Sequence, residues 1–191
     1  MSETQLVTPD SEKEARFHAV SEAVVRSLLR GGPDDLRYAT IARHAGVSRA
    51  WLYKYFGKDT DELLLFVARL FGDAFADMDR PIAATDDAGW RDAVLENTRR
   101  GFDDVLAHPW TMQLYFRYRH DRGVLGQALR DLRRRHLDKF VAEMPHMRRS
   151  RPFADAFASV RLGLYFDWLD EDFRQANSLD RIMAPLRAML Q

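Results

Sequence analysis

The sequence predicts an all-α protein, built as a small three-helix head and a larger bundle. Three observations carry that expectation. Apolar residues recur at spacings of three and four along most of the chain, and period-two alternation is nearly absent. Gly- and Pro-containing breaks divide the pattern into segments of helical length. The 191 residues are 46% hydrophobic and 30% charged, the composition of an ordinary globular chain with a sizeable core.

Each element can be justified in order. Residues 1–12 are polar and expected to be disordered. Ser11–Arg30 carries Phe17, Val20, Val24 and Leu28 on one face and stops at Gly31-Gly32-Pro33. A short helix with Tyr38, Ile41, Ala42 and Ala45 ends at Gly46. Ser48 then caps a helix through Phe56, with Leu52 and Phe56 turned inward, and Gly57 ends it. Asp59 and Glu62, spaced like a capping box, open a helix to about Met78. After a break over Pro81–Gly89, Trp90–Ala107 is helical up to His108-Pro109, and Trp110–His120 is short and aromatic. Leu125 to Met144 form the next helix, closed near Pro145. Pro152 suits the first turn of a helix running to about Asp170, and Leu179–Leu190 completes the chain. Pro185 is expected to kink or split that last helix. The count is three short helices followed by five or six longer ones.

Composition removes several functions. The chain has no cysteine, so disulfides, thiolate metal sites and cysteine nucleophiles are out. It has no Gly-rich phosphate loop, no Gly-x-Ser-x-Gly elbow and no His-Glu-x-x-His pattern. His120, His136 and His146 lack ligand spacing with paired carboxylates. No enzyme, no metal and no cofactor is expected. The longest strongly apolar run, Leu63 to Ala68, is too short to span a membrane, and no signal peptide is evident, so a cytoplasmic protein is expected.

Net charge is zero, but its distribution is uneven. Leu36 to Lys58 holds Arg37, Arg43, Arg49, Lys54 and Lys58 with no acidic residue. Asp59 to Asp79 holds six acidic residues against Arg69 alone. One short element is therefore suited to a polyanion and its neighbour is not.

That element has the parts of a helix-turn-helix. Gly46 stands where the chain must turn sharply after the first helix. Val47 can pin the angle between the helices, and Ser48 can cap the second with its positive dipole end outward. Arg49, Ala50, Trp51, Tyr53, Lys54 and Tyr55 would lie on the exposed face, sized for the major groove of DNA.

Gly46-Val-Ser-Arg-Ala-Trp-Leu-Tyr-Lys-Tyr-Phe56 closely resembles the signature of TetR-family regulators. That family typically reads Gly-Val-Ser, three variable residues, Leu-Tyr, one more, an aromatic or His, then Phe. The likeness runs in register from about Phe17 to Phe71, through Gly32 and Ile41-Ala42. It implies an all-α protein with an N-terminal three-helix helix-turn-helix head (1–58) followed by a larger C-terminal helical bundle for effector binding and dimerisation (59–191). By position, Arg49, Ala50 and Trp51 correspond to base-reading residues, and Ser48, Tyr53, Lys54 and Tyr55 to cap, groove and backbone contacts. Arg37 and Tyr38 stand where the family usually offers a capping Thr; Arg37 can reach phosphate but cannot cap. Gly57-Lys58-Asp59-Thr60 holds one residue more than the family's usual link, which displaces its phosphate-contacting Lys to Lys58.

The resemblance further implies a ligand-responsive repressor that binds a pseudo-palindromic operator on double-stranded DNA as a homodimer. Pairing would use residues 152–170 and 179–190, both too apolar for one buried face each. A small-molecule effector would lie among Trp90, Phe102, Trp110, Tyr115, Phe116, Tyr118, Tyr165 and Trp168. His120, Arg117 and Arg119 would offer polar recognition there, with the effector aromatic or lipophilic and anionic as one option. Aromatics at helical spacing are equally the makings of plain core. The competing reading is a helical effector-binding or scaffold protein without sequence-specific DNA binding, with Arg130, Arg133, Arg134 and Arg135 as a solvated face or an anionic-partner surface.

Overall fold

The computed structural model describes residues 9–76, 82, 84, 86–146 and 149–191. Among these residues ten α-helices follow one another: α1 (Pro9–Gly31), α2 (Tyr38–Ala45), α3 (Arg49–Phe56), α4 (Thr60–Ala76), α5 (Asp87–Ala107), α6 (Trp110–Tyr118), α7 (Val124–Glu143), α8 (Arg151–Trp168), α9 (Glu171–Ala176) and α10 (Leu179–Leu190). Among the described residues there is no strand.

Local chemistry sets most boundaries. Ser48, Asp86, Ser150, Asp170 and Ser178 each accept a bond from a backbone N–H in the first turn of the helix they precede. Each satisfies a donor that has no partner within its helix. Pro152 lies in the first turn of α8, where its missing N–H costs nothing. Asp59 Oδ1 accepts from the Asp61 N–H at 3.0 Å at the start of α4.

The buried stripes follow the helical period. On α5, Trp90, Val94, Thr98, Gly101, Phe102 and Val105 point inward. Helix α1 packs on α2, α4 and α6, α4 on α7, α7 on α8, and α5 on α8 and α10. Head and body share one continuous buried core, from Val20 and Leu28 through Leu63 and Phe71 to Tyr165 and Leu186. Helices α5 and α8 cross closely because Gly101 lacks a side chain. A Cβ there would come within 2.2 Å of the Tyr165 hydroxyl.

Several sequence expectations change. Helix α1 begins at Pro9, so Pro9–Glu12 are helical rather than disordered; residues 1–8 lie outside the described residues. Asp86 starts α5 a turn before Trp90. Helix α4 is described to Ala76, and its expected end at Met78 falls outside the described residues. Helix α8 stops at Trp168, and a short α9 follows, capped by Asp170, where a plain connection was expected. Helix α1, at 23 residues, is not short. Pro185 does not split α10, which runs unbroken from Leu179 to Leu190. Arg181, whose carbonyl loses its helical partner to the proline, lies with Pro185 on the exposed side, so water can take the bond.

Candidate nucleic-acid interface and cavity

The turn between α2 and α3 is set by two residues. Gly46 is left-handed (φ 67°, ψ 24°), and its N–H closes α2 on the Ala42 carbonyl, which also accepts from Val47 at 3.0 Å. Ser48 follows in extended backbone, and its Oγ accepts from the Trp51 N–H at 3.0 Å. Leu52 and Phe56 anchor α3 in the core. Three of every four α3 side chains are left over, and most face solvent.

Arg49, Ala50, Tyr53, Lys54 and Tyr55 are exposed, as are Ser48 and Lys58. Among the described residues neither Arg49 nor Lys54 joins an ion pair. Lys54 Nζ lies 5.2 Å from the centre of the Tyr55 ring, and Lys13 reaches the same ring at 5.8 Å. Tyr55 thus gathers two cations on one edge of the helix. Arg37 is exposed, but its Nη1 donates to the carbonyls of Asp34 at 2.6 Å and Leu36 at 3.0 Å, bracing the turn before α2.

Two expected surface residues turn inward. Tyr38 is buried; its ring meets Tyr53 at 5.0 Å, and its hydroxyl donates to the Asp59 carbonyl at 2.9 Å and towards that of Phe56 at 3.3 Å. Burial, and secondarily the Asp59 carboxylate, push the Tyr38 hydroxyl above the ordinary tyrosine range. Tyr38 is therefore removed from the contacts expected of α2: it ties α2 to the α3–α4 link. Trp51 is half-buried against Phe17 (5.1 Å), Tyr55 (4.5 Å) and Phe56 (6.3 Å), which leaves one edge of the indole outward.

The middle aromatics divide in two. Trp90 packs on Phe140 (5.7 Å), and Phe102 on Tyr165 (4.5 Å) and Trp168 (5.7 Å); all five are buried core. The Tyr165 hydroxyl donates to the Thr98 carbonyl at 3.3 Å, and burial raises its pKa. Trp110 is half-buried beside His108 (6.2 Å). Tyr118 is buried and donates to the Leu28 carbonyl at 2.6 Å, its pKa raised by burial. His120 is exposed and accepts at Nε2 from Arg119 Nε at 3.0 Å. Only Tyr115 and Phe116 of that set line the two openings described next.

One small opening, of about 40 Å³, lies between α4, α6, α7 and α8 and is walled by Phe71, Tyr115, Leu132, Ala158 and Leu162 with Arg133, His136 and Arg161. An outer groove of about 380 Å³ shares Tyr115, Arg133 and Leu162 with it and adds Phe116, Arg119, Ser159, Gly163, Phe166 and Asp167. Sequence reasoning set His136 aside as lacking ligand spacing, placed Arg133 on a solvated face or an anionic-partner surface, and passed over Arg161. The available signal was Arg161 itself, a cation in the apolar middle of α8 with no carboxylate three or four residues away.

An all-helical chain whose second and third helices form a capped helix-turn-helix with an exposed cationic face is a DNA-binding regulator. Residues 22–66, from α1 into α4, match the family described as bacterial regulatory proteins, tetR family. No curated protein is similar enough in sequence to count as a relative. Among solved structures, the fatty acid degradation regulator FadR from Bacillus halodurans is similar at 15% identity and TM-score 0.68, over 91% of this chain and 97% of that one. A TetR-like transcriptional regulator from Rhodococcus sp. RHA1 is similar at 15% identity and TM-score 0.65, over 97% and 96%. FadR from Bacillus subtilis, solved in complex with stearoyl-CoA, is similar at 15% identity and TM-score 0.63, over 91% and 95%. These likenesses extend the shared fold through the C-terminal bundle. No helix among the described residues is long and apolar enough to cross a membrane.

Proposed function

We propose that the protein is a homodimeric, ligand-responsive repressor that works in the cytoplasm without catalysis, placing its two α3 helices in successive major grooves of a pseudo-palindromic operator. The observation that carries this reading is the outward face of α3, where Arg49 and Lys54 stand exposed with no ion-pair partner among the described residues. Unpaired cations on a helix held by only two core anchors are otherwise without structural purpose. Residues 1–58 serve as the reading head and 59–191 as the sensing and pairing body.

Arg49 and Ala50, at the N-terminal end of α3, face base edges, with the outer edge of Trp51 beside them. Ser48, Tyr53, Lys54, Tyr55, Lys58 and Arg37 meet the sugar-phosphate backbone and groove walls. Two such heads must stand about 34 Å apart, which calls for a dimer. Helix α8 leaves Val160 37% exposed. Helix α10 turns Ala184, Pro185 and Ala188 outward. These faces suit a four-helix pairing of two copies through 152–170 and 179–190. The apolar opening between α4, α6, α7 and α8, and the stearoyl-CoA held by the Bacillus subtilis neighbour, support a lipophilic effector.

Selection of bound fragments from random DNA tests the reading. A palindromic consensus bound with salt-dependent affinity is the expected result. Uniform binding to every fragment, or none, would leave the helical effector-binding reading instead. Sedimentation at micromolar concentration should give a dimer; a monomer would remove the two-groove geometry.

A further inference from the structure

The opening between α4, α6, α7 and α8 has a polarity of its own. Its wall is apolar at Phe71, Tyr115, Leu132, Ala158 and Leu162, and its charged groups are all cations. Arg133 Nε and Arg161 Nε are shielded from solvent and have no hydrogen-bond partner among the described residues. In the adjoining groove Arg119 Nη1 is likewise shielded and unpartnered. Three guanidinium donors without acceptors around one space is a costly arrangement unless an acceptor arrives.

Existing partners do not discharge this excess. Arg161 Nη2 lies 2.6 Å from His136 Nε2. A guanidinium only donates, so that imidazole nitrogen accepts. The charge of Arg161 is oriented by this bond and not cancelled. Arg133 Nη2 reaches Asp155 at 3.7 Å, a partly exposed pair that offsets some of its charge but leaves Nε bare. Arg119 lies 4.5 Å over Phe116 and 5.7 Å from the Tyr115 ring centre and, among the described residues, donates only to His120. Asp167 is the single carboxylate in the lining, at the outer groove.

From this geometry we infer that the site receives an anionic amphiphile, whose single head, a carboxylate or a phosphate monoester, is held in the small opening by Arg133 and Arg161 while its apolar body lies in the adjoining groove along Tyr115, Phe116, Leu162 and Phe166. The inference rests on the effector reading above and adds the ligand's chemical class. An anion supplies acceptors for the bare Nε–H groups, and the apolar wall rewards a chain or ring over a small ion. A cationic or neutral ligand would leave those donors as they are. Arg119 stands at the mouth, between the outer groove and the Tyr115 wall, where it draws the anion in.

Isothermal titration of the full-length protein with decanoate, decyl phosphate and 1-decanol, at one ionic strength, tests the assignment. Decanoate or decyl phosphate should bind at least about tenfold tighter than decanol, the return on one charge-assisted bond, and the tighter of the two identifies the head group. In Arg161→Gln and in Arg133→Gln that preference over decanol should fall to about threefold or less, with folding checked by circular dichroism. Arg133, whose side chain is 40% exposed, keeps the test available should Arg161→Gln fail to fold. Equal binding of decanol and decanoate would overturn the anionic class while leaving a lipophilic pocket. Preference surviving in both variants would move the anion elsewhere. Failure of every probe would overturn the inference and the effector reading together.

Discussion

Lys54 and Arg49 sit on the same exposed face of α3, yet their positions assign them different work. Lys54 is in the last turn, beside Tyr55, where a helix lying in the groove passes the phosphates. Lys54→Ala should weaken binding to all DNA sequences alike and reduce the slope of log affinity against log salt by about one unit, read by fluorescence anisotropy over a salt series. Arg49 opens the helix at its base-facing end, so Arg49→Ala should relax discrimination at one base pair, at a cost of about 1–3 kcal/mol. Equal loss on every sequence would move Arg49 to the backbone class. The buried tyrosines predict a pH response. Burial raises the pKa of Tyr38, Tyr118 and Tyr165, so the folded protein holds these protons longer than the unfolded chain does. Their stabilisation is complete below the unfolded value near 10 and is lost as pH climbs through the higher folded values. Urea unfolding midpoints should drop above about pH 10, and Tyr38→Phe should make that drop shallower.

At the scale of the element, the α2–α3 pair depends on one backbone conformation. Gly46 has φ 67°, and a Cβ placed there would meet no atom within 4 Å. Gly46→Ala therefore isolates the backbone cost of the left-handed turn. It should destabilise the protein by about 1 kcal/mol, the left-handed penalty of roughly 1–2 kcal/mol less the entropy that alanine removes from the unfolded chain. Chemical denaturation measures it, and no change would mean that α3 can be re-aimed without strain. The same pair explains what the sequence could reveal. Gly46, Ser48, Leu52 and Phe56 act within a dozen residues of one another, so their roles follow from local spacing and capping. Helix α9 has six residues and no buried one, too short to show a period. The packing of Tyr38 on Tyr53 and of Trp51 on Phe17 depends on where α1 and the α3–α4 link lie, which spacing does not encode. Pro185 obeyed its own chemistry, but whether the freed carbonyl faces core or water is a tertiary fact. For the same reason the middle aromatics could not be sorted beforehand into lining and core.

Across the whole molecule, cavity and head meet on α6. Tyr115 and Phe116 face the openings, and the next two residues hold the end of α1. The Tyr118 hydroxyl donates to the Leu28 carbonyl at 2.6 Å, and Arg117 Nη1 donates to the Leu29 carbonyl. Both carbonyls belong to the last turn of α1, where a helix lacks internal partners and carries negative dipole, so a tyrosine hydroxyl and a guanidinium are fitting caps. A ligand that displaces α6 would thus pull on the helix that packs against α2 and α4. The double variant Arg117→Ala/Tyr118→Phe cuts this latch and leaves the cavity wall intact. Leu28 keeps its bond from the Gly32 N–H at 3.0 Å, so stability should fall by only about 1–2 kcal/mol. If the latch carries the signal, the factor by which a bound probe such as decanoate changes operator affinity should shrink towards one, while the probe's own affinity for DNA-free protein changes by less than about threefold. Operator binding titrated with and without the probe gives that factor directly. A double variant that folds, binds the probe and still shows the full factor would place the coupling on another path, such as the contact of α4 with α7.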